Sequence, residues 1–352
     1  MRGRQHLDYV ILILSTIQDA RLQKGNDLEI DDILSNILNL KFILRLCMNN
    51  RVLYSFVSSL KKKAYINGNL RSPQRRLLTE IWEVGNLWID RLHNTINYVN
   101  NAAETSGTPV LFIKTLQTPQ DVTFDVDVLL RRKEDFLKIR PLLKGFEPRE
   151  VNGGYELCSS NEHFLPIDLY YDIRFQTYQL VSPEFLWSRV RTIEYGRRSI
   201  IVPAPEGELI LHASQLVFQN KFLTIGNILN IASVITTDET SFDWSVVLKE
   251  GRLHGWEKEL SGIVSIVNSA YSDFFGKPVD ASISSERKVY ANFPIFLPPA
   301  YNRHFVSAKM NVLGLIRFLL QDHRRYIVVI SKHLFRNKIP IYRDWVGIDS
   351  GL

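Results

Sequence analysis

Two aspartates spaced two residues apart are the residues of this chain with the clearest potential for chemistry. Asp125 and Asp127 lie in residues 124–128, where apolar and acidic side chains alternate. This alternation predicts a β-strand, on which the two acids share one face and the apolar residues share the other. Adjacent carboxylates repel each other, and a divalent cation removes that cost because hard oxygen ligands suit Mg²⁺. The alternative is a solvent-facing edge strand whose acids bind nothing.

A third aspartate and a strand end add to this pattern. Asp168 lies further along the chain, inside a second apolar segment at residues 165–170. If the two segments pair side by side, three carboxylates meet on one face, as required for two metal ions about 4 Å apart that promote phosphoryl transfer. Lys114 and Thr115 end an earlier apolar segment, and a strand end with a hydroxyl and free backbone amides is suited to hold a phosphate.

This arrangement resembles the nucleotidyltransferase superfamily of the DNA polymerase β type. The match is closest to prokaryotic branches of that superfamily, including those that act as antitoxins or toxins, and it covers about residues 105–235. The resemblance implies that Asp125, Asp127 and Asp168 bind Mg²⁺ or Mn²⁺. It also implies that Asp168 helps to activate the acceptor hydroxyl, and that a nucleoside triphosphate is the substrate.

The resemblance assigns phosphate contacts to other residues. Lys114 and Thr115 stand where the family has Gly-Ser: Thr115 keeps a hydroxyl for the β- and γ-phosphates, whereas Lys114 replaces a glycine. Lys114 either neutralises triphosphate charge or marks weakened or lost catalysis. Residues 206–234 resemble the helical segment that follows the catalytic domain in these branches. On that segment, Lys221 is a candidate for triphosphate contact, whereas His212 is expected to face water.

The elements that position these residues follow from hydrophobic periodicity. Residues 5–103 have helical spacing, strands and short helices follow, and helical spacing returns from residue 206. One of the predicted short helices covers residues 131–144. This order predicts an α+β fold in which a small mixed β-sheet, a nucleotidyltransferase core under the resemblance, is flanked by helical regions. The expected domains are an N-terminal helical region (1–104), the core (105–203) and a C-terminal helical region with a basic tail (204–352).

Net charge and cysteine content indicate what kind of partner the protein binds and in which cellular compartment it resides. The net charge is +6, and residues 301–352 carry nine lysines and arginines against three aspartates. Such a tail favours an anionic partner, nucleic acid first, or forms a solvated basic helix face. Cys47 and Cys158 are too few for a disulfide framework or a zinc site, so we expect two buried thiols in a reducing compartment. No apolar run reaches the ~18 residues of a membrane span, which predicts a cytoplasmic protein without membrane contact.

Three functions of different classes fit these features. The first is a metal-dependent enzyme that transfers a nucleoside monophosphate from a triphosphate to a hydroxyl of an RNA end, a protein or a small molecule. The second is a catalytically weak or inactive protein of the same fold, which binds RNA or a protein partner as an antitoxin-like module. The third is a glycosyltransferase, which the order of elements disfavours because helices occupy the place of the larger parallel sheet that such enzymes need.

Overall fold

The chain has a mixed α and β architecture, with a small sheet between helical regions, as the sequence predicts. The computed structural model describes Ile13, Thr16, Ile17, Leu34 and residues 36–63, 70–116, 122–151, 153–175, 178–216, 224–236, 242–275 and 279–280. Lys221 and the basic tail at residues 301–352 lie outside the described residues, so their predicted roles stay predictions.

Among the residues from 36 onward that the structure describes, three helices precede the sheet: α1 (Ile37–Asn49), α2 (Leu53–Lys62) and α3 (Ser72–Ser106). A proline in the first turn of α3 suits a helix start, because the missing N–H would have no intrahelical partner there. The helix ends at Gly107, which has the left-handed conformation (φ 65°) typical of a C-terminal glycine. The first half of α3 packs with α1 and α2 around one apolar core, and its second half packs on the sheet.

The sheet has five strands: β1 (Val110–Phe112), β2 (Val126–Leu130), β3 (Phe146–Val151), β4 (Gly154–Ser159) and β5 (Ile167–Tyr170). Their spatial order is β1-β2-β5-β4-β3, so β5 lies between β2 and β4. The β2–β5 pair is parallel, whereas the other three pairings are antiparallel. The expected pairing of the two aspartate-bearing segments is therefore present.

The helix predicted over residues 131–144 is much shorter in the structure. The α-helix α4 covers Asp135–Ile139 and is followed by a single 3₁₀ turn, Arg140–Leu142. Pro141 accounts for this change, because its ring clashes with the preceding helical turn and it has no N–H to donate. Gly145, with φ 82°, then turns the chain into β3.

Two hairpins and a short helix follow the sheet. Strands β6 (Ile173–Phe175) and β7 (Tyr178–Val181) form one hairpin, and β8 (Val190–Tyr195) and β9 (Arg198–Pro203) form the other. Helix α5 (Pro183–Ser188) connects them. The second hairpin lies against the sheet at β1.

The C-terminal helices of the described chain are α6 (Pro205–Ser214), α7 (Ile225–Thr236), α8 (Trp244–Leu253) and α9 (Glu257–Phe275). They pack together around an apolar core that also includes residues of the sheet. Among the residues that the structure describes, no helix has the length and apolar character needed to cross a membrane.

The two faces of the sheet contact different helices. Val126 and Val128 point into the core shared with α3, whereas Leu129 points into the core of the C-terminal helices. Because side chains alternate along a strand, Asp127 lies on the same face as Leu129. The acidic residues therefore face the C-terminal helices and not α3.

The two cysteines differ in exposure. Cys47 is buried in α1, as predicted, but Cys158 on β4 is exposed, so the prediction of two buried thiols was wrong. Leu157 points from β4 into the core, and the alternation of side chains directs the next residue to the opposite, open face.

Candidate carboxylate site

The strand pairing brings the three predicted aspartates into one region. Asp127 on β2 lies in register beside Asp168 on β5, and Asp125 precedes the first residue of β2. The backbone N–H of Val126 donates to the carbonyl of Pro166 (2.9 Å), which holds the two strands together at the end that carries Asp125. Since neighbours in register on parallel strands present side chains to the same face, Asp127 and Asp168 are side by side.

Burial and mutual repulsion make these carboxylates costly to ionise. Burial, with further contributions from the negative charges of Asp127 and Asp168, raises the pKa of Asp125 to about 7. Burial, followed by the charge of Asp127, likewise raises the pKa of Asp168 to about 6. The three acids thus form a cluster with excess negative charge, which is typical of functional sites.

Lys114 supplies a positive charge to this cluster from a strained backbone. Its Nζ lies 3.2 Å from Oδ2 of Asp127, and both side chains are about one-seventh exposed, at 14% and 13%. The same Nζ lies 5.5 Å from the ring centroid of Tyr170. The φ angle of Lys114 is 54°, a left-handed conformation that costs a non-glycine residue about 1 kcal/mol. A lysine therefore occupies a backbone conformation that favours glycine.

Thr115 uses its hydroxyl within the sheet. The side chain is buried, and its Oγ1 accepts a hydrogen bond from the backbone N–H of Asp127 (3.1 Å). The hydroxyl donates to the carbonyl of Ile113 (2.9 Å). Thr115 thereby fixes the end of β1 against β2, close to the aspartates.

Tyr170 belongs to the site, although the sequence pattern did not single it out. Its hydroxyl donates to Oδ2 of Asp168 (3.0 Å), and burial, followed by the charge of Asp127, raises the pKa of Tyr170. The signal in the sequence was its position two residues after Asp168 on one strand, which places both side chains on the same face. Tyr170 holds the Asp168 carboxylate in position.

The donor set suits a hard divalent cation. Carboxylate oxygens are the ligands that Mg²⁺ and Mn²⁺ prefer, and one ammonium does not balance three carboxylates. Within the described part of the chain, however, no group of three or more histidine, cysteine, aspartate or glutamate side chains is arranged to hold a metal ion. The aspartates are thus neighbours that share one face, with Lys114 against one of them.

Residues near the aspartates differ in their surroundings from what the pattern predicted. His212 on α6 is buried, and burial, with a further contribution from the charge of Lys114, lowers its pKa to about 4. The expectation that His212 faces water was wrong because α6 is enclosed on nearly all sides. Asp172, just after β5, is ion-paired with Arg174 and accepts a hydrogen bond from Gln179 (3.1 Å).

A second polar cluster contains serine, histidine and glutamate but is not arranged for catalysis. Oε1 of Glu250 on α8 accepts hydrogen bonds from the backbone N–H and the hydroxyl of Ser182, both at 2.8 Å. Nε2 of His254 lies 3.0 Å from the same oxygen and 3.1 Å from Oγ of Ser182. A catalytic histidine contacts the acid and the nucleophile through opposite ring nitrogens, whereas here one nitrogen contacts both. The cluster anchors the start of α5 to α8.

No protein-family model, characterised protein or solved structure matches this chain. The chemistry of the site follows from its own geometry, in which three carboxylates, one ammonium and one tyrosine hydroxyl lie on the same side of a sheet. Carboxylate oxygens are the ligand type that hard divalent cations prefer, and an ammonium is a partner for phosphate oxygens.

Proposed function

We propose that the protein is a metal-dependent nucleotidyltransferase, which transfers a nucleoside monophosphate from a nucleoside triphosphate to a hydroxyl acceptor and releases pyrophosphate. The observation that carries this proposal is the register of β2 and β5, which places Asp127 beside Asp168, with Asp125 directly before the first residue of β2. Excess negative charge at a buried site favours the binding of cations. The resemblance of the sequence pattern to nucleotidyltransferases of the DNA polymerase β type supports the same function.

The three aspartates have distinct roles in this proposal. Asp125 and Asp127 hold Mg²⁺ or Mn²⁺, and Asp168, fixed by Tyr170, contributes the third carboxylate and accepts the proton of the attacking hydroxyl. The bound cations supply positive charge that stabilises the transferring phosphoryl group. The protein contributes mainly position, because the strands fix all three carboxylates relative to one another.

The two strand-end residues also have different roles. Lys114 is placed to contact the phosphates of the nucleotide, since its ammonium lies at the aspartates. Thr115 has a positioning role, because its hydroxyl is hydrogen-bonded to the backbone of Ile113, just after β1, and of Asp127 on β2. A metal ion held by Asp127 would compete with Lys114 for that carboxylate, and the ammonium would then be available to contact the phosphates.

The ion pair between Lys114 and Asp127 also favours a second candidate function. An ammonium that already neutralises a metal ligand weakens metal binding and hence catalysis. In that case the protein binds a nucleotide, an RNA or a protein partner without turnover, as an antitoxin-like module does.

The test measures transfer of label from α-³²P nucleoside triphosphates, with Mg²⁺ or Mn²⁺, to mixed RNA and to the protein itself. We expect transfer by the wild-type protein and at least a hundredfold loss in Asp127→Asn, which removes the charge of a metal ligand and keeps its size. Asp172→Asn is the matched control, since Asp172 follows β5 on the same sheet but pairs with Arg174.

The outcomes separate the two candidates. Equal transfer by the wild-type protein and Asp127→Asn overturns the enzyme proposal. Nucleotide binding with no transfer by the wild-type protein overturns it as well and supports the binding module.

A further inference from the structure

A small cavity lies beside the carboxylate site and has no role in the function proposed above. Its volume is about 140 Å³, and three elements line it. Strand β8 contributes Arg191 and Ile193, which share one face because they are two residues apart. Helix α6 contributes Glu208 and His212, which lie one turn apart and therefore also share a face. Helix α7 contributes Asn230.

The cavity is adjacent to the aspartates. Leu116, two residues after Lys114, is one of its lining residues. The charge of Lys114 contributes to the lowered pKa of His212, so the ammonium and the imidazole are close enough to interact. A molecule whose phosphates lie at Lys114 and the aspartates therefore has this cavity within reach of its other end.

The polar groups of the cavity are suited to hydrogen bonding and not to binding an anion. Nη2 of Arg191 lies 3.5 Å from Oε2 of Glu208, so the cation among the described lining residues already faces an acid. The Nε of Arg191 is enclosed by protein atoms and has no hydrogen-bond partner among the residues that the structure describes. The guanidinium is therefore only partly satisfied by the protein, and buried donors without partners are costly. The imidazole of His212 supplies both a donor and an acceptor.

Charge and size together define the class of ligand. A phosphate is disfavoured by Glu208, and an apolar group is disfavoured because it would leave the buried polar groups without partners. A cavity of about 150 Å³ accommodates a single benzene ring in a protein interior. The ligand group is therefore planar, uncharged, rich in donors and acceptors, and about one six-membered ring in size.

We propose that this cavity binds the nucleobase of the nucleotide substrate and selects pyrimidines over purines. This inference rests on the proposed function, because the position of the base follows from phosphates bound at the aspartates. The single ring of uracil or cytosine matches the cavity volume, and its carbonyl and ring nitrogen groups match the donors and acceptors of the lining. The guanidinium of Arg191, which lines the cavity, donates to a carbonyl oxygen of the base.

The experiment measures by calorimetry the affinities of UTP, CTP, ATP, GTP and inorganic tripolyphosphate for the full chain with Mn²⁺. We expect UTP and CTP to bind the wild-type protein at least tenfold more tightly than ATP and GTP. In Arg191→Ala we expect this preference to fall below about threefold while the affinity for tripolyphosphate is unchanged, since one buried hydrogen bond accounts for about tenfold in affinity. Arg252→Ala is the control, because Arg252 is exposed on α8 and pairs with Glu257.

The failure of this inference is distinguishable from the failure of the enzyme proposal. Equal affinity for all four triphosphates, or a pyrimidine preference that persists in Arg191→Ala, overturns the base pocket and leaves catalysis standing. A pyrimidine preference that is lost in Arg191→Ala without any transfer of label overturns catalysis and keeps the pocket. The absence of binding by any of the four nucleotides overturns both.

Discussion

The carboxylate site and the Glu250 cluster are both buried polar groups, but their balance of charges and donors is opposite. At the carboxylate site, three acids face one another with a single ion-paired ammonium, and the pKa values of Asp125 and Asp168 are raised. Glu250 is a single acid that receives hydrogen bonds from Ser182 and His254. Burial opposes its ionisation, but these hydrogen bonds outweigh burial, so the pKa of Glu250 is lowered.

This difference indicates which cluster stabilises the fold and which is arranged for a ligand. A buried acid whose lone pairs are satisfied by donors stabilises the native state in its charged form. Buried acids that repel one another destabilise the native state until a cation binds, as sites that bind ligands commonly do. Removal of an acid therefore has opposite effects on stability in the two regions.

The largest effect is expected at Glu250. In Glu250→Ala, the N–H of Ser182 and the ring nitrogen of His254 lose their partner inside the protein, so we expect a loss of about 3–5 kcal/mol in the free energy of unfolding. Urea unfolding followed by tryptophan fluorescence measures this loss. Glu257→Ala is the control, because its pair with Arg252 lies at the surface, where an ion pair contributes little to stability, so a much smaller loss is expected. Equal losses in both variants contradict the anchoring role of Glu250.

Glu208 is a buried acid that is intermediate between Glu250, whose charge is satisfied by donors, and the mutually repelling aspartates. Burial raises its pKa to about 7, and the charge of Arg191 only partly offsets this effect. Because the pKa of Glu208 is higher in the folded state than in the unfolded state, the contribution of this residue to stability is fully present below about pH 4.5. That contribution is lost as the pH rises through about 7. Across this window, we expect the wild-type protein to lose about 3 kcal/mol relative to Glu208→Gln.

The measurement for Glu208 is urea unfolding of both proteins between pH 4.5 and 8. The other titratable groups among the described lining residues are Arg191 and His212, and the lowered pKa of His212, about 4, keeps its imidazole neutral in this window. Helix α7 contributes Asn230, which does not titrate. If the free energy of unfolding changes equally with pH in the wild-type protein and in Glu208→Gln, the pKa of Glu208 is not raised in the folded state.

At the carboxylate site, removal of an acid is expected to stabilise the metal-free protein. Asp125→Asn removes one of three mutually repelling charges, so we expect a gain of about 2 kcal/mol in the free energy of unfolding at pH 8 in the presence of EDTA. Thermal unfolding measures the gain. Asp172→Asn, which breaks a satisfied ion pair, is expected to lower stability. A loss of stability in Asp125→Asn shows that this region is built like the Glu250 cluster.

The smallest effect is expected from the strained backbone of Lys114. Lys114→Ala removes the ammonium and keeps a side chain at φ 54°, whereas Lys114→Gly removes both the ammonium and the strain. We expect the glycine variant to be about 1 kcal/mol more stable than the alanine variant. Thermal unfolding of the pair isolates the strain, because both variants lack the ion pair with Asp127. Equal stability shows that the left-handed conformation costs nothing.

The sequence predicted the elements with strong local signals. The alternation of residues 124–128 predicted β2, the apolar segment at residues 165–170 predicted β5, and helical spacing predicted the helices that precede the sheet. The helix predicted over residues 131–144 is shorter in the structure because Pro141 interrupts it. The proline itself, which has no backbone N–H, was the signal in the sequence that could have predicted this. The pairing of β2 with β5 was stated as a condition for the site, because no local pattern specifies which strands become neighbours.

Several features of the site depend on tertiary packing and could not be predicted from local sequence patterns. The burial of His212 depends on elements packed around α6 that are distant in sequence, and a polar residue on a helix is ordinarily solvated. Glu208 and Arg191 met no sequence criterion, since their opposition arises only where β8 lies against α6. Lys114 was noted as a departure from a family pattern, but its positive φ and its contact with Asp127 required coordinates.

The position of β5 in the sheet has a consequence during synthesis on the ribosome. The chain first reaches the far edge at β3, returns through β4, and only then inserts β5 beside β2. A nascent chain that ends before Ile167 carries the first two acids but has no central strand to close the sheet. The three aspartates are thus not all present until residue 168 of the 352, just under half of the chain, has been synthesised, which ties assembly of the site to completion of the sheet.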